Sequence, residues 1–288
     1  MERGLFRRIG RTLRSLGSRR DNGRYRYTDA GILAVYLWAA LHDRPVSWAC
    51  DEANWSPGMR RGPLPSASAV SRRMRGVSMR RLMHRLERRL VSSGRWVLVA
   101  SIDGKPMPIA WHSGDRQAGV GRGVGGLAKG YKLHAVIDLG GRMLAWRVAP
   151  MNIDEREMAR RLLRDLGHEG YLLADGNYDS NKLFDAAGAV QIQLVAPRRR
   201  GPRAGLGHRR HSVHRLRCRD LLENTESDFG RELHRKRGHI ERYFGTMSST
   251  PGGLIGLPAW VRGMNRVHNW VAAKIIIVEA KATLKATV

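Results

Sequence analysis

Three acids are set apart by what surrounds them. Asp103 closes the compact apolar run WVLVASIDG (96–104), and Asp175 closes the apolar part of YLLADGNY (171–178); glycine follows each at once. Such runs read as buried strands. In an open α/β sheet the carboxyl ends of the strands form the crevice where sites are built. An acid there is costly to desolvate unless something positive pairs with it. Arginine could do so, as could a divalent cation, and either acid could instead cap the turn that follows it. Glu241 is the single acid in RGHIERYFG (237–245), amid Arg, Lys and His. Its helix comes late in the chain and could pack across the sheet, bringing a third carboxylate beside the first two. Three carboxylates on a rigid frame repel one another unless cations lie between them, and hard oxygen donors select magnesium or manganese. Two such ions, about 4 Å apart, can activate a water or a 3′-hydroxyl and stabilise the leaving oxygen of a phosphodiester. Basic neighbours such as Arg237 and Arg242 would hold a polyanion against an acidic pocket that otherwise repels it.

The elements that must position these acids follow from periodicity. Residues 1–24, rich in Arg, Ser and Gly, are expected to form a mobile basic tail. Residues 25–94 are helical in pattern. Thr28 suits an N-cap and Pro45 a stop for the first helix, and VSWACDEANW suits a second, short one. Ser66 or Ser68 would cap a third, which ends at Gly76. Met79, Leu82, Met83, Leu86 and Leu90 then make one apolar stripe, with Arg80, Arg81, Arg85, Arg88 and Arg89 largely off it. From Trp96 the pattern changes to strands. PMPIAWH could pair with the first of them. GYKLHAVIDLGG and RMLAWRVAP suit two strands joined by a Gly-Gly turn. A helix (154–167), the strand ending at Asp175, the helix SNKLFDAAGA and the strand IQLVAP come next. Residues 198–236 suit a basic inserted loop or subdomain, and 260–285 a closing helix. The expected fold is therefore α/β: a small all-α domain (25–94) followed by a mixed-sheet domain (95–288).

The chain has 288 residues, 42% of them hydrophobic, so it can bury a core. Its formal net charge of +27 favours a polyanionic partner, nucleic acid before an anionic membrane. The longest apolar stretches, 31–41 and 271–280, are too short to span a bilayer, which leaves the membrane without an anchor. Two cysteines far apart make no disulfide framework and fit a reducing cytoplasm.

SIDGKPM, GYKLHAVID, LLADGNYDS and RGHIERYFG resemble the signature segments of the DDE transposases of bacterial insertion sequences. LWAALHDRPVSWACDEANW and LPSASAVSRRMR are similar to the helical DNA-binding part that precedes the catalytic core in one branch of that family. The likeness runs from about Tyr27 to the C-terminus, with the acids in the family's order and spacing. It implies a ribonuclease H-like core in which Asp103, Asp175 and Glu241 are catalytic and hold two magnesium or manganese ions. It also implies cleavage and strand transfer of DNA at inverted-repeat ends. The family's last segment runs Tyr, two residues, Arg, three residues, Glu, six residues, Lys. Arg237 and Glu241 match it; His234 stands at the Tyr position and Ser248 at the Lys position. The expected DNA contact of that lysine would come from another group, Arg242 or Lys274, or activity would be reduced. Two ends must be synapsed, so double-stranded DNA and a homodimer or higher assembly are the expected partners, in the cytoplasm at the nucleoid. The rival readings are another ribonuclease H-like nuclease, and a DNA-binding protein that has lost catalysis.

Further contacts are open to other residues. SASAVSRRMR (66–75) suits the recognition helix of a helix-turn-helix, with Ser68, Ser71, Arg72, Arg73 and Arg75 reaching DNA, or a solvated basic helix. GVGRGVGGLAKG (119–130) contains a GxGxxG match but precedes a strand instead of opening a helix. It is read as a flexible connector. Lys129, Tyr131, Lys132 and His134 beyond it are candidate DNA contacts. His208, His211, His214 and Cys218 have metal-like spacing, but five interleaved arginines disfavour a dication, so no zinc is expected and a phosphate-binding arm is preferred. Asn152 could orient groups near the acids or act as a cap. Trp111 and Trp146 are expected in the core.

Overall fold

The computed structural model describes residues 2–16, 26–60, 62–91, 97–166, 169–199 and 211–285. The chain divides into two compact units, Met1–Ser93 with Met247–Val288, and Gly94–Thr246. The expected catalytic domain at 95–288 therefore gives up its last stretch to the helical unit.

In the helical unit, α1 (Glu2–Ser15) occupies most of the segment read as a mobile tail. Leu5, Phe6, Ile9 and Leu13 recur at helical spacing and are buried. Phe6 meets Trp38 edge-to-face at 4.9 Å, so the basic residues of this stretch ride on a helix with a core of its own. Residues 17–25 lie outside the described residues. In α2 (Asp29–Leu41) the Thr28 hydroxyl accepts from the Gly31 N–H at 3.1 Å, as expected of an N-cap. VSWACDEANW splits into α3 (Val46–Ala49) and a 3-10 turn at Glu52–Asn54. Ser66 caps α4 (Ala67–Arg73). The stripe on α5 (Val77–Val91) is buried at each of its five positions.

The closing helix of this unit, α11 (Met264–Lys285), carries a buried cation; it follows the element numbered α10 below. Lys274 is fully buried, and its Nζ donates to the Ala40 carbonyl and to Asp43 Oδ1, each at 2.6 Å. The ammonium lies 4.9 Å from the Trp270 ring centroid. Lys274 is thus spent inside the helical unit and does not serve as the basic group missing at Ser248. Burial lowers its affinity for a proton, and Asp43 pulls it back. Removing the carboxylate strands a buried charge, whereas removing the lysine does not. Asp43→Asn should therefore cost about 2 kcal/mol, and Lys274→Met clearly less, both read from urea unfolding midpoints.

The second unit is built on one six-stranded sheet. In chain order its strands are β1 (Val99–Pro108), β2 (Gly119–Gly123), β3 (Gly126–Asp138), β4 (Met143–Pro150), β5 (Gly170–Leu173) and β6 (Ile192–Val195). The spatial path is β2-β3-β1-β5-β6, with β4 also paired to β3. β1 and β3 are antiparallel, as are β3 and β4; β1, β5 and β6 are parallel. This is the ribonuclease H-like arrangement. PMP does not form a separate strand: β1 runs through it to Pro108. The glycine-rich 119–130 is no loose connector either, since it forms β2 and the start of β3.

Helices α6 (Glu155–Leu163) and α7 (Asn181–Gly188) pack on the sheet. Leu162, Leu163, Leu183 and Phe184 join Ile102, Val136, Leu172 and Leu194 in one core. Asp154 caps α6 by accepting from the Arg156 N–H at 2.8 Å. The basic insertion holds α8 (Val213–Glu223) and α9 (Phe229–Arg235); residues 200–210 lie outside the described residues. α10 (Gly238–Ser249) carries Glu241 in its first turn.

Candidate active site

Asp103 and Asp175 are brought together by strand register. β1 and β5 are parallel neighbours paired as far as Ser101↔Leu173. Each acid lies two residues beyond that pair, so the two occupy the same level of adjacent strands. Asp103 shows the effect. Its carboxyl is pushed up to about 6, mainly by burial. The Gly104 N–H, which donates to Oδ1 at 2.7 Å, opposes the rise, the Asp175 charge adds to it, Arg237 opposes it and Glu155 adds again. Asp175 also caps its own turn, accepting from Asn177 N at 2.9 Å and Asn177 Nδ2 at 3.1 Å. The capping role left open by the sequence and a place beside Asp103 are therefore both true of it.

The chain returns to this level through His234. Its Nε2 donates to the Ala174 carbonyl at 2.9 Å, pinning α9 to the residue before Asp175. Three residues later Arg237 stands at the threshold of α10. Its Nη2 is 2.6 Å from Glu241 Oε1, one helical turn along, and its Nη1 is 3.7 Å from Asp103 Oδ2. Arg237 thus links the third acid to the first. The Glu241 side chain is 59% exposed and that of Asp103 is 24% exposed. Among the described residues no three His, Cys, Asp or Glu side chains converge tightly enough to cage a single ion. Glu241 reaches the aspartates only through the guanidinium. If Arg237 holds the Asp103 proton affinity down, Arg237→Gln should raise the Asp103 midpoint above about 6. A carboxyl NMR titration in EDTA measures it, and an unmoved midpoint would refute the linkage.

Two residues at this site, Glu155 and Tyr178, escaped the reading of the sequence, and a third, Lys132, was read as a DNA contact. Glu155, in the first turn of α6, accepts from Lys132 Nζ at 2.5 Å, and it raises the proton affinity of Asp103. Lys132 is 7% exposed, and its stem passes over Gly104. A Cβ at 104 would lie 2.8 Å from Lys132 Cδ, which explains the glycine after Asp103. The Tyr178 side chain is fully buried, and among the described residues its hydroxyl has no hydrogen-bond partner. Burial raises its proton affinity, followed by the charges of Glu155, Asp103 and Asp175. The phenol is thus buried in the sheet core near enough to these acids to feel their charge. One signal for Lys132 was present: a lysine inside the continuous apolar run of a strand covered on both faces must find an acid.

The expected DNA contacts divide. Arg72, Arg75 and Arg242 are exposed. Arg73 is held by Asp29 and by the Tyr27 carbonyl, so it braces the helical unit. Tyr131, Lys132 and His134 are buried, and GYKLH faces the core instead of a duplex. Burial lowers the His134 imidazole to about 3, which keeps it neutral. Lys129 Nζ donates to the Ser113 carbonyl at 2.6 Å. Of the histidine cluster, His208 lies outside the described residues, His211 meets Arg215 at 3.1 Å, and the Cys218 thiol donates to the Ala196 carbonyl at 3.3 Å. Asn152 is exposed beside Gly119. Trp111 is 62% exposed and does not join the core.

The family model described as the transposase DDE domain matches residues 98–277. The chain belongs to this family. Comparison with curated proteins finds no match. The matched span of the transposase begins at β1, ends within α11 and contains Asp103, Asp175 and Glu241. The family implies DNA as substrate and divalent metal as cofactor. Among the described residues of the transposase no helix is long and apolar enough to cross a membrane.

Proposed function

We propose that this transposase cleaves double-stranded DNA at the ends of its element and joins the exposed 3′-hydroxyls to target DNA, with Asp103, Asp175 and Glu241 as the acting carboxylates. The observation that carries this reading is that Asp103 and Asp175 each lie two residues beyond the last pair of the parallel strands β1 and β5, close enough for Asp175 to raise the Asp103 carboxyl, with Glu241 tied to Asp103 through Arg237. The donor set suits magnesium or manganese. It offers only hard oxygens, and a carboxyl pushed to about 6 by burial and a neighbouring acid is a group whose ionised form a dication favours. Ions bound there would supply a lowered proton affinity at a water or 3′-hydroxyl and stabilisation of charge on the leaving oxygen.

The protein's own side chains do the rest. Asp103 and Asp175 would hold the cation, and Glu241 would add its carboxylate from α10. Arg237 neutralises Asp103 and Glu241 and keeps the two acids within one side chain of each other. The Lys132–Glu155 pair and Tyr178 are packed near the acids and exclude water there. Exposed Arg242, next to Glu241, meets the phosphates of the scissile strand in place of the lysine that Ser248 replaces. Arg72 and Arg75 bind DNA from the helical unit, and two protomers synapse the two ends. The test supplies linear duplexes carrying the terminal repeats together with a plasmid target in magnesium or manganese. Integrated product is the expected result. Nicking without joining would make the protein a hydrolytic nuclease, and end binding without any break would make it a DNA-binding protein that has lost catalysis.

A further inference from the structure

The glycine-rich run 119–130 carries a feature that the acid site does not use. β2 pairs with β3 alone, and β1 ends opposite Gly130, so residues 119–130 form a two-stranded ribbon extending past the end of β1. One face of β2 has no room for side chains. A Cβ at Gly119 would lie 2.0 Å from Asn152 Oδ1, and one at Gly121 would lie 2.2 Å from the Met151 carbonyl oxygen. Glycine at alternate positions presses that face against residues 151–152.

The opposite face carries the residues between the glycines. Val120 pairs with Lys129, and Arg122 with Leu127. Residues directly opposite in an antiparallel ladder share a face. Val120 is 46% exposed, Leu127 76%, and Val124 at the tip 97%. Trp111 belongs to the neighbouring segment, which Lys129 clamps through the Ser113 carbonyl. A single exposed apolar residue needs no explanation. Here several lie on one thin ribbon whose other face is fixed by packing. The charge is one-sided as well: residues 116–130 contain Arg116, Arg122 and Lys129 and no acid. Among the described residues Arg122 has no ion-pair partner.

Apolar side chains interleaved with cations, free of acids and mounted on a two-stranded ribbon, suit a DNA duplex. A major groove of about 12 Å admits such a ribbon. Cations beside the groove meet phosphates, while methyl-bearing side chains meet base edges. We propose that the β2–β3 ribbon docks on duplex DNA, with Arg122 on the phosphate backbone and Val124 and Leu127 in the groove. This rests on the reading that the protein acts on DNA, but it concerns a surface apart from the three acids.

The test uses the full chain in EDTA, where no strand is cut, and a mixed-sequence duplex followed by fluorescence anisotropy across a salt series. Val124→Ser with Leu127→Ser should weaken binding about tenfold with an unchanged salt slope. Arg122→Ala should reduce the slope of log affinity against log salt by about 1. All three side chains are exposed, so melting temperatures should match wild type. A benzophenone amino acid placed at 124 should crosslink to the duplex. Three results would overturn the proposal: wild-type affinity and slope in every variant, crosslinks only between protein chains, or variants that change oligomeric state without changing DNA binding. If the wild-type protein itself binds no duplex, the broader DNA-acting reading fails along with it. If wild type binds and the ribbon variants bind equally well, only the ribbon proposal fails.

Discussion

Asp103→Asn lowers DNA cleavage at least about a thousandfold and makes the protein more stable at neutral pH. The first effect follows from losing an anionic oxygen of the proposed metal site. The second follows from the price of holding that oxygen. Burial and the Asp175 charge push the Asp103 carboxyl up to about 6 from an ordinary 3.8, so the fold prefers it protonated. Its contribution to stability is complete below pH 3.8 and is lost as pH rises through about 6. At pH 7.5 the ionised carboxylate therefore works against folding by about 3 kcal/mol, at 1.36 kcal/mol per unit. Asparagine avoids that cost, and its Oδ1 can still accept from the Gly104 N–H, but it gives up attraction to Arg237. In EDTA at pH 7.5 the variant should gain about 2 kcal/mol, and the gain should vanish by pH 4. Urea unfolding at both pH values measures this. A variant that is less stable at pH 7.5, or that cuts DNA normally, would refute the placement of Asp103.

Glu155→Ala costs about 3–5 kcal/mol because it leaves the Lys132 ammonium buried without a carboxylate. The Lys132 side chain is 9% exposed and that of Glu155 is 22% exposed, so solvent does little to replace the lost partner. Changing both, Lys132→Met with Glu155→Gln, removes the charge itself and should recover most of the stability. A double-mutant cycle by urea unfolding reads the coupling. Additive effects would show that the pair is not a unit. The same substitution reaches the acids. Glu155 raises the proton affinity of Asp103, so its loss should lower the Asp103 midpoint in EDTA, opposite in sign to Arg237→Gln. Midpoints moving in the same direction in both variants would contradict this electrostatic frame.

Much of the architecture was legible along the chain. Strand and helix periods located β1, β3, β4, α6, β5, α7, β6, α10 and α11, because each of these buries one face or one run and so writes its own pattern, whereas β2 and the helices of 198–236 went unread. Thr28, Ser66 and Asp154 marked helix starts by local chemistry alone. Two stretches were misread for a shared reason. Residues 1–24 are rich in arginine, serine and glycine and residues 119–130 in glycine, which signals loop when judged by composition. In α1 four apolar residues at helical spacing outweigh that composition. In β2 the glycines are required because residues 151–152 lie against them, a contact about thirty residues away in sequence.

The candidate site divides in the same way. Asp103, Asp175 and Glu241 could be chosen from the sequence because an acid closing an apolar run and an acid in a basic helix are local patterns, although β1 runs on past Asp103 to Pro108. Their linkage could not. That Arg237 would bridge Asp103 and Glu241, that Lys132 would turn inward to Glu155, and that Tyr178 would be buried near the acids all depend on strand register and helix packing. A sequence pattern reports which side of an element is buried. It does not report which remote charge will be waiting there, and a buried ion pair forms only where the tertiary fold brings both partners to one level of the sheet.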